Sequence, residues 1–234
     1  MTGYGQTLGR PKSILVISAH WDSDVARVST NPDPQTIHDF YGFPEELYRL
    51  QYSAPGSPVL ASRVQALLKV ADIPCALDAE QGLDHGAWVP LLLMYPEATI
   101  PVVQLSVQTH LGPRHHLKLG QALRLLRDEG VLVMGSGGVT HNLSEFRRHR
   151  ANAAPPDWVI SFQEWIAATL ESGRVDDLAD YRRLAPHAAQ NHPSEEHFFP
   201  LIVAAGAGSD RTPARRVHRS NAFAILAMDA YQFD

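Results

Sequence analysis

Ile14-Leu15-Val16-Ile17-Ser18-Ala19-His20-Trp21 is the stretch on which the fold turns. Four consecutive aliphatic residues, three of them β-branched, predict a short strand buried on both faces, as in a parallel α/β sheet. The run gives way to two small residues and then presents His20. Ligands of open α/β sheets bind in the crevice outside the carboxyl ends of the strands. His20 therefore stands where chemistry is expected. Alone, such a histidine reads as a core residue satisfied by one hydrogen bond, so the rest of the chain decides its meaning.

Working outward, the strand count grows. Pro74-Cys75-Ala76-Leu77-Asp78, Pro101 to Val107 and Val131-Leu132-Val133-Met134 read as further strands, the last running into Gly135-Ser136-Gly137-Gly138. Between them, Leu60, Val64, Leu67, Leu68 and Ala71 recur at helical spacing, and Asp84 is placed to cap a helix from His85 to about Met94. Leu119, Leu123 and Leu126 mark another helix, ending near Asp128-Glu129-Gly130. The alternation is that of an α/β fold. The second half is more helical: Trp158, Phe162, Trp165, Ile166 and Leu170 keep helical spacing, and Asp176 to Leu184 predicts one more helix. Ser194-Glu195-Glu196 predicts a helix start with His197 on its first turn, and Ala222 to Met228 a final strand. Residues 1–12 read as Gly-rich and polar, and the long segment 22–44 as irregular. No internal repeat or linker interrupts the chain, so one domain over residues 1–234 is expected.

Composition narrows the function. A formal charge of −5 provides no basic surface for nucleic acid. No apolar run approaches the ~20 residues that span a bilayer, and Met1 to Gln6 lacks a signal-peptide apolar region. A cytoplasmic protein is expected. A single cysteine, Cys75, leaves no internal disulfide and no multi-cysteine metal site. Histidine is the abundant chemical residue, at 12 copies. A metal here would be held by imidazole and carboxylate, a donor set suited to iron or zinc. His20 and His141 each follow a buried strand, His85 opens a helix after another, and His197 lies at a predicted helix start. Spacing leaves a metal site, an acid–base centre and independent structural histidines all open.

Seven blocks resolve that choice. Ser18-Ala19-His20-Trp21, Ile37-His38-Asp39-Phe40-Tyr41-Gly42-Phe43-Pro44, Tyr52 to Pro58, Asp84-His85-Gly86-Ala87-Trp88, Val103-Gln104-Leu105-Ser106, Thr140-His141-Asn142-Leu143 and Glu196-His197-Phe198-Phe199-Pro200-Leu201 stand in order along almost the whole chain. Together with the closing Ala227 to Phe233, they resemble the class III extradiol ring-cleavage dioxygenases, LigB-like and of the DOPA 4,5-dioxygenase type. The resemblance implies an α/β domain with a central, mostly parallel or mixed sheet flanked by helices. It implies one non-haem metal, Fe(II), with Zn(II) found in some relatives as isolated. By position, His20 and His197 match metal ligands. His141 and His85 match the acid–base and oxygen-contacting histidines, and His141 is also a candidate third ligand. His38, Phe40, Tyr41 and Trp88 are expected to bind the aromatic ring of a catechol, which is opened with O2. A homo-oligomer is expected.

The family pattern also opens with an extra strand ending in a His-Gly turn, whose histidine is a further ligand. No such turn precedes Ser13, so the expectation is a site one ligand short, with His38, Asp22 or His141 as substitutes. The alternative expectation is a catalytically weak or silent relative that binds aromatic ligands or metal without turnover. A zinc hydrolase is a third, which the block-by-block match disfavours.

Overall fold

The aliphatic run at Ile14 forms a strand, and the sheet is built on it. The computed structural model describes residues 2–150, 152–209 and 212–234. Along the chain, α1 (Thr2–Leu8) precedes β1 (Ser13–Asp22) and β2 (Ala26–Ser29). After a long coil come α2 (Pro58–Val70), β3 (Cys75–Asp78), α3 (His85–Met94) and β4 (Val102–Val107). Next are α4 (Gly112–Leu123), α5 (Leu125–Asp128), β5 (Val131–Ser136) and α6 (Asp157–Glu171). Three helices follow, α7 (Tyr181–Leu184), α8 (Ala188–Asn191) and α9 (Phe199–Ala207). Four short strands close the chain: β6 (Arg215–His218), β7 (Asn221–Ala222), β8 (Leu226–Ala227) and β9 (Ala230–Gln232). The chain divides into two compact units, Met1–Gln108 with Leu125–Ser136, and Thr109–Arg124 with Gly137–Asp234.

The first unit carries a mixed five-stranded sheet in the order β3-β2-β4-β1-β5, as the α/β reading requires. β1 runs parallel to both β4 and β5, and only the β2–β4 pairing is antiparallel. Ile14, Leu15, Val16 and Ile17 are completely buried, each contributing about 1.5–3 kcal/mol of hydrophobic stabilisation. The strand then departs from its neighbour. Between Ile17↔Leu105 and Asp22↔Val107, β1 advances five residues while β4 advances two. Ser18 still pairs with Ser136 of β5, and the excess carries Ala19 and His20 out of the regular ladder at the carboxyl end. α2 begins where Ser57 accepts from the Leu60 N–H (3.2 Å), with Pro58 at the first helical position. Its predicted apolar face (Leu60, Val64, Leu67, Leu68) is buried.

In the second unit α4 packs on α9 with no side chain between them at the crossing. A Cβ on Gly120 would lie 2.1 Å from the Val203 carbonyl oxygen, and one on Gly206 2.6 Å from that of Leu117. α6 covers the predicted residues, burying Phe162, Ile166 and Leu170.

One element is unforeseen and four local expectations are corrected. The polar start forms α1, which settles on α3 because Gly5 lets its backbone approach; a Cβ there would sit 2.3 Å from the Met94 oxygen. The irregular segment 22–44 contains β2, four residues that become a strand by pairing with β3 and β4. Residues 176–184 are a 3-10 turn (Val175–Asp180) followed by α7, because Asp180 leaves helical geometry (φ −130°, ψ 24°). The helix at the second-unit histidine begins at Phe199, and His197 lies in the turn before it. Pro200 explains this: it fits a first turn but would clash inside a helix begun at Ser194. Finally, Phe223 and Ala224 adopt positive φ (52° and 63°), breaking the expected last strand into the β7–β8 hairpin.

Candidate functional site

Each unit gathers a group of histidines around a carboxylate. In the first unit, β1 delivers His20 and the start of α3 delivers His85, their ring centroids 3.9 Å apart. Asp39, from the long coil after β2, meets both. Its Oδ1 lies 2.9 Å from His85 Nδ1 and its Oδ2 3.6 Å from His20 Nδ1. The His85 backbone N–H also donates to Asp39 Oδ1 (2.9 Å). Burial pushes the Asp39 carboxyl up, but the contacts with His85 outweigh it and leave it below its ordinary value.

Behind these rings is a buried polar network. Ser18 Oγ donates to Asp84 Oδ1 (2.7 Å) and accepts from the His20 N–H (3.2 Å). Gln104 Nε2 donates to Asp84 Oδ2 (2.7 Å), and its Oε1 accepts from the Asp84 N–H (2.9 Å). Asp84 also accepts from the Ala87 N–H (3.1 Å), capping α3. Burial, opposed by the Ser18 and Gln104 hydrogen bonds, holds the Asp84 carboxyl above its usual value. Gly86 completes the fit: a Cβ there would lie 2.4 Å from Ser18 Oγ and 3.2 Å from the His20 ring.

In the second unit, His141 and His197 stack face to face, centroids 3.4 Å apart and planes 8° apart. Glu196 Oε1 lies 2.9 Å from His197 Nδ1 and accepts from Ser194 Oγ (3.0 Å). The His197 hydrogen bond, acting against burial, lowers the Glu196 carboxyl to about 2. Burial, then the neighbouring His197 charge, lowers His141 to about 4, with Glu196 partly opposing. His141 is therefore neutral near pH 7. Its backbone is held by an N–H bond to Asn191 O (3.0 Å). The buried His192 lies with Nε2 2.8 Å from Val139 O, on the same loop. His197 O accepts from the Gly138 N–H (2.9 Å), an approach open only because Gly137 has no Cβ; one would sit 2.2 Å from that oxygen.

The four predicted histidines thus fall two to a unit. Sequence reasoning did not assign Asp39, although it lies inside a quoted motif, because nothing local links residue 39 to residues 20 and 85. Glu196 was quoted beside His197 without a role, and the Asp84–Ser18–Gln104 network has no sequence signature. Of the expected ring-binding residues, Phe40 packs edge-on to His85 (5.5 Å) and beside Trp88 (6.2 Å). Trp88 is a core residue, 1% exposed, its indole N–H donating to Ile37 O (2.9 Å). His38 packs against Phe40 and Trp88, with Nε2 2.9 Å from Leu50 O. Tyr41 is 88% exposed.

Both groups suit a divalent metal. In His20, Asp39 and His85, as in His141, Glu196 and His197, one donor atom per residue lies within 4.8 Å of the others. Imidazole and carboxylate donors fit iron or zinc. Among the described residues no helix is long and apolar enough to cross a membrane.

Comparison with known proteins agrees with this chemistry. Residues 6–228 match the family described as the catalytic LigB subunit of aromatic ring-opening dioxygenase. A 4,5-DOPA dioxygenase extradiol from Beta vulgaris is 47% identical over 231 residues, covering 96% of this chain and 83% of the beet protein. The Escherichia coli K12 protein of the same name is 43% identical over 213 residues, covering 89% of this chain and 77% of its own. A crystal structure of an uncharacterized E. coli K12 protein superposes with a TM-score of 0.84 at 35% identity, covering 100% of this chain and 90% of that one. The match over nearly the whole chain, with the imidazole–carboxylate groups it accompanies, makes this protein a member of the LigB family of metal-dependent, extradiol ring-cleaving dioxygenases.

Proposed function

We propose that the chain is a single catalytic domain over residues 1–234 that opens the ring of a DOPA-like catechol beside the diol, using Fe(II) and O2. The carrying observation is the near full-length match to proteins named 4,5-DOPA dioxygenase extradiol, supported by the imidazole–carboxylate groups. His20 and His197 are the proposed metal ligands; His141 is the proposed acid–base residue, with metal ligation as its alternative role. A bound Fe(II) supplies Lewis acidity toward the catechol hydroxyls and redox access to dioxygen.

The remaining roles belong to the chain. His141, neutral near pH 7, accepts the proton of the second catechol hydroxyl. His85, held against Asp39, offers its ring edge to substrate or oxygen. Phe40, packed against His85, forms part of an aromatic wall for the flat substrate, with His38 and Tyr41 as its proposed companions and the buried Trp88 backing Phe40. We place the enzyme in the cytoplasm, as a homo-oligomer in aromatic compound metabolism, without nucleic-acid or membrane partners. The test is anaerobic loading with Fe(II), then L-DOPA, then oxygen. A yellow semialdehyde, with one O2 consumed per catechol, is the expected result. Catechol binding without oxygen uptake would overturn the assignment in favour of a silent relative, and Zn(II)-loaded protein serves as the control that binds without turnover.

A further inference from the structure

Given the reading of His197 as a metal ligand, on which this rests, we propose that Tyr181 is a positioning residue. It grips the Glu195–Phe198 turn at both ends and so fixes where His197 stands. His197 precedes α9, so no ladder of helical hydrogen bonds holds its backbone. Besides the bond from the Gly138 N–H to the His197 carbonyl, the turn is closed by its own first residue. Glu195 O accepts from the Phe198 N–H (2.9 Å) and the Phe199 N–H (3.3 Å). A turn closed in this way still pivots as a unit unless its ends are fastened to something rigid.

Tyr181, the first residue of α7, supplies both fastenings. It is completely buried, and its hydroxyl donates to Glu195 Oε1 at 2.6 Å. Its ring packs on the equally buried Phe198, centroids 4.3 Å apart. Arg182 adds to the grip on the same oxygen, with Nε 3.1 Å from Glu195 Oε1. Its guanidinium carbon stands 5.7 Å from the centre of the Tyr181 ring. Phe162 and the buried His192 back that ring at 6.3 and 6.4 Å. Between the two fastened ends stand Glu196 and His197, which contact each other at 2.9 Å, while His197 stacks on His141. Core packing accounts for the ring of Tyr181 but not for its hydroxyl. A phenylalanine would fill the same space without burying an oxygen that must then be satisfied. The hydroxyl is therefore the part that positions the turn. A ligand held in place beforehand spares metal binding the cost of ordering it.

Zn(II) affinity of the full-length protein, measured by competition with a chelator, is the first readout, with His197→Ala as the reference for loss of the ligand. Tyr181→Phe should weaken Zn(II) binding about 10-fold. Glu195→Ala should do the same, and adding Tyr181→Phe to it should cost nothing further, since both break one contact. Glu195→Gln keeps an acceptor for the Tyr181 hydroxyl and should stay close to wild type. Amide hydrogen exchange of the metal-free protein is the second readout. The Phe198 and Phe199 amides should exchange about 10-fold faster in Tyr181→Phe, and those of Ile202 to Ala205 at wild-type rates. Far-UV circular dichroism checks the fold, and Glu195→Ala decides should Tyr181→Phe fail to fold. Wild-type affinity in the folded variants, or additive losses in the double variant, would overturn the proposal. So would faster exchange spread evenly through α9, the mark of a residue that only fills the core. If His197→Ala binds Zn(II) as tightly as the wild type, the reading of His197 as a ligand fails, and exchange at Phe198 and Phe199 alone decides the grip on the turn.

Discussion

The two histidine groups use the same donor types and are held by opposite means. In the first unit the carboxylate of Asp39 lies against both rings, and all three side chains are partly open, at 26–28% exposure. Their positions are set by side chains: Ser18, Gln104 and the buried Asp84. In the second unit the rings stack on each other, and His197 is more enclosed, at 13%. Its positions are set by backbone: His197 O to the Gly138 N–H, and the His141 N–H to Asn191 O. A site anchored by side chains tolerates local crowding by rotation of a side chain, whereas one anchored by backbone does not. The contrast therefore predicts where the protein is brittle.

The largest effect concerns the proposed ligands. His20→Ala and His197→Ala should each cut dioxygenase turnover by more than about 100-fold, the upper scale for losing only a ligand's supporting partner, measured as oxygen uptake with L-DOPA. Loss in one variant alone would show that a single group carries the metal. Next come the glycines. Gly137→Ala forces a Cβ to within 2.2 Å of a backbone oxygen and should cost about 3 kcal/mol, whereas Gly86→Ala, meeting the rotatable Ser18 hydroxyl, should cost about 1 kcal/mol. Urea unfolding at pH 7 measures both, and equal costs would remove the distinction between backbone and side-chain anchoring.

A third effect is in pH. Burial lowers His192 to about 3, against about 6.5 in the unfolded chain, so the native state favours the neutral ring. The stability this confers is complete above pH 6.5 and is lost as pH falls toward 3. Between pH 7 and pH 5 the loss is about 2 kcal/mol at 1.36 kcal/mol per pH unit. His192→Gln, which keeps a donor for Val139 O, should show a correspondingly flatter dependence in urea unfolding. An equal slope in both proteins would mean that the second group is not braced by a neutral buried imidazole. The smallest effect belongs to Tyr41, 88% exposed. Tyr41→Ala should change stability by less than about 0.5 kcal/mol, and a larger loss would show that the 41–50 segment braces the first group.

What the sequence by itself determined is the part governed by local periodicity and by motif. The aliphatic run at Ile14, the helical faces of α2 and α6 and the Asp84 cap were legible because neighbours along the chain suffice to specify them. The histidines were legible because strands and helix starts give residues a known address, and the motifs added the chemistry. What only the tertiary structure decided depends on partners distant in the chain. β2 is a strand because β3 and β4 pair with it. α1 is a helix resting where Gly5 meets α3. Asp39 joins His20 and His85 across 19 and 46 residues, respectively. The placement of His197 before α9, rather than within it, lay between the two: Pro200 carried the signal, since a ring without an N–H belongs in a first turn. A single sequence does not show which distant groups meet, because that depends on the packing free energy of the whole chain rather than on any one segment.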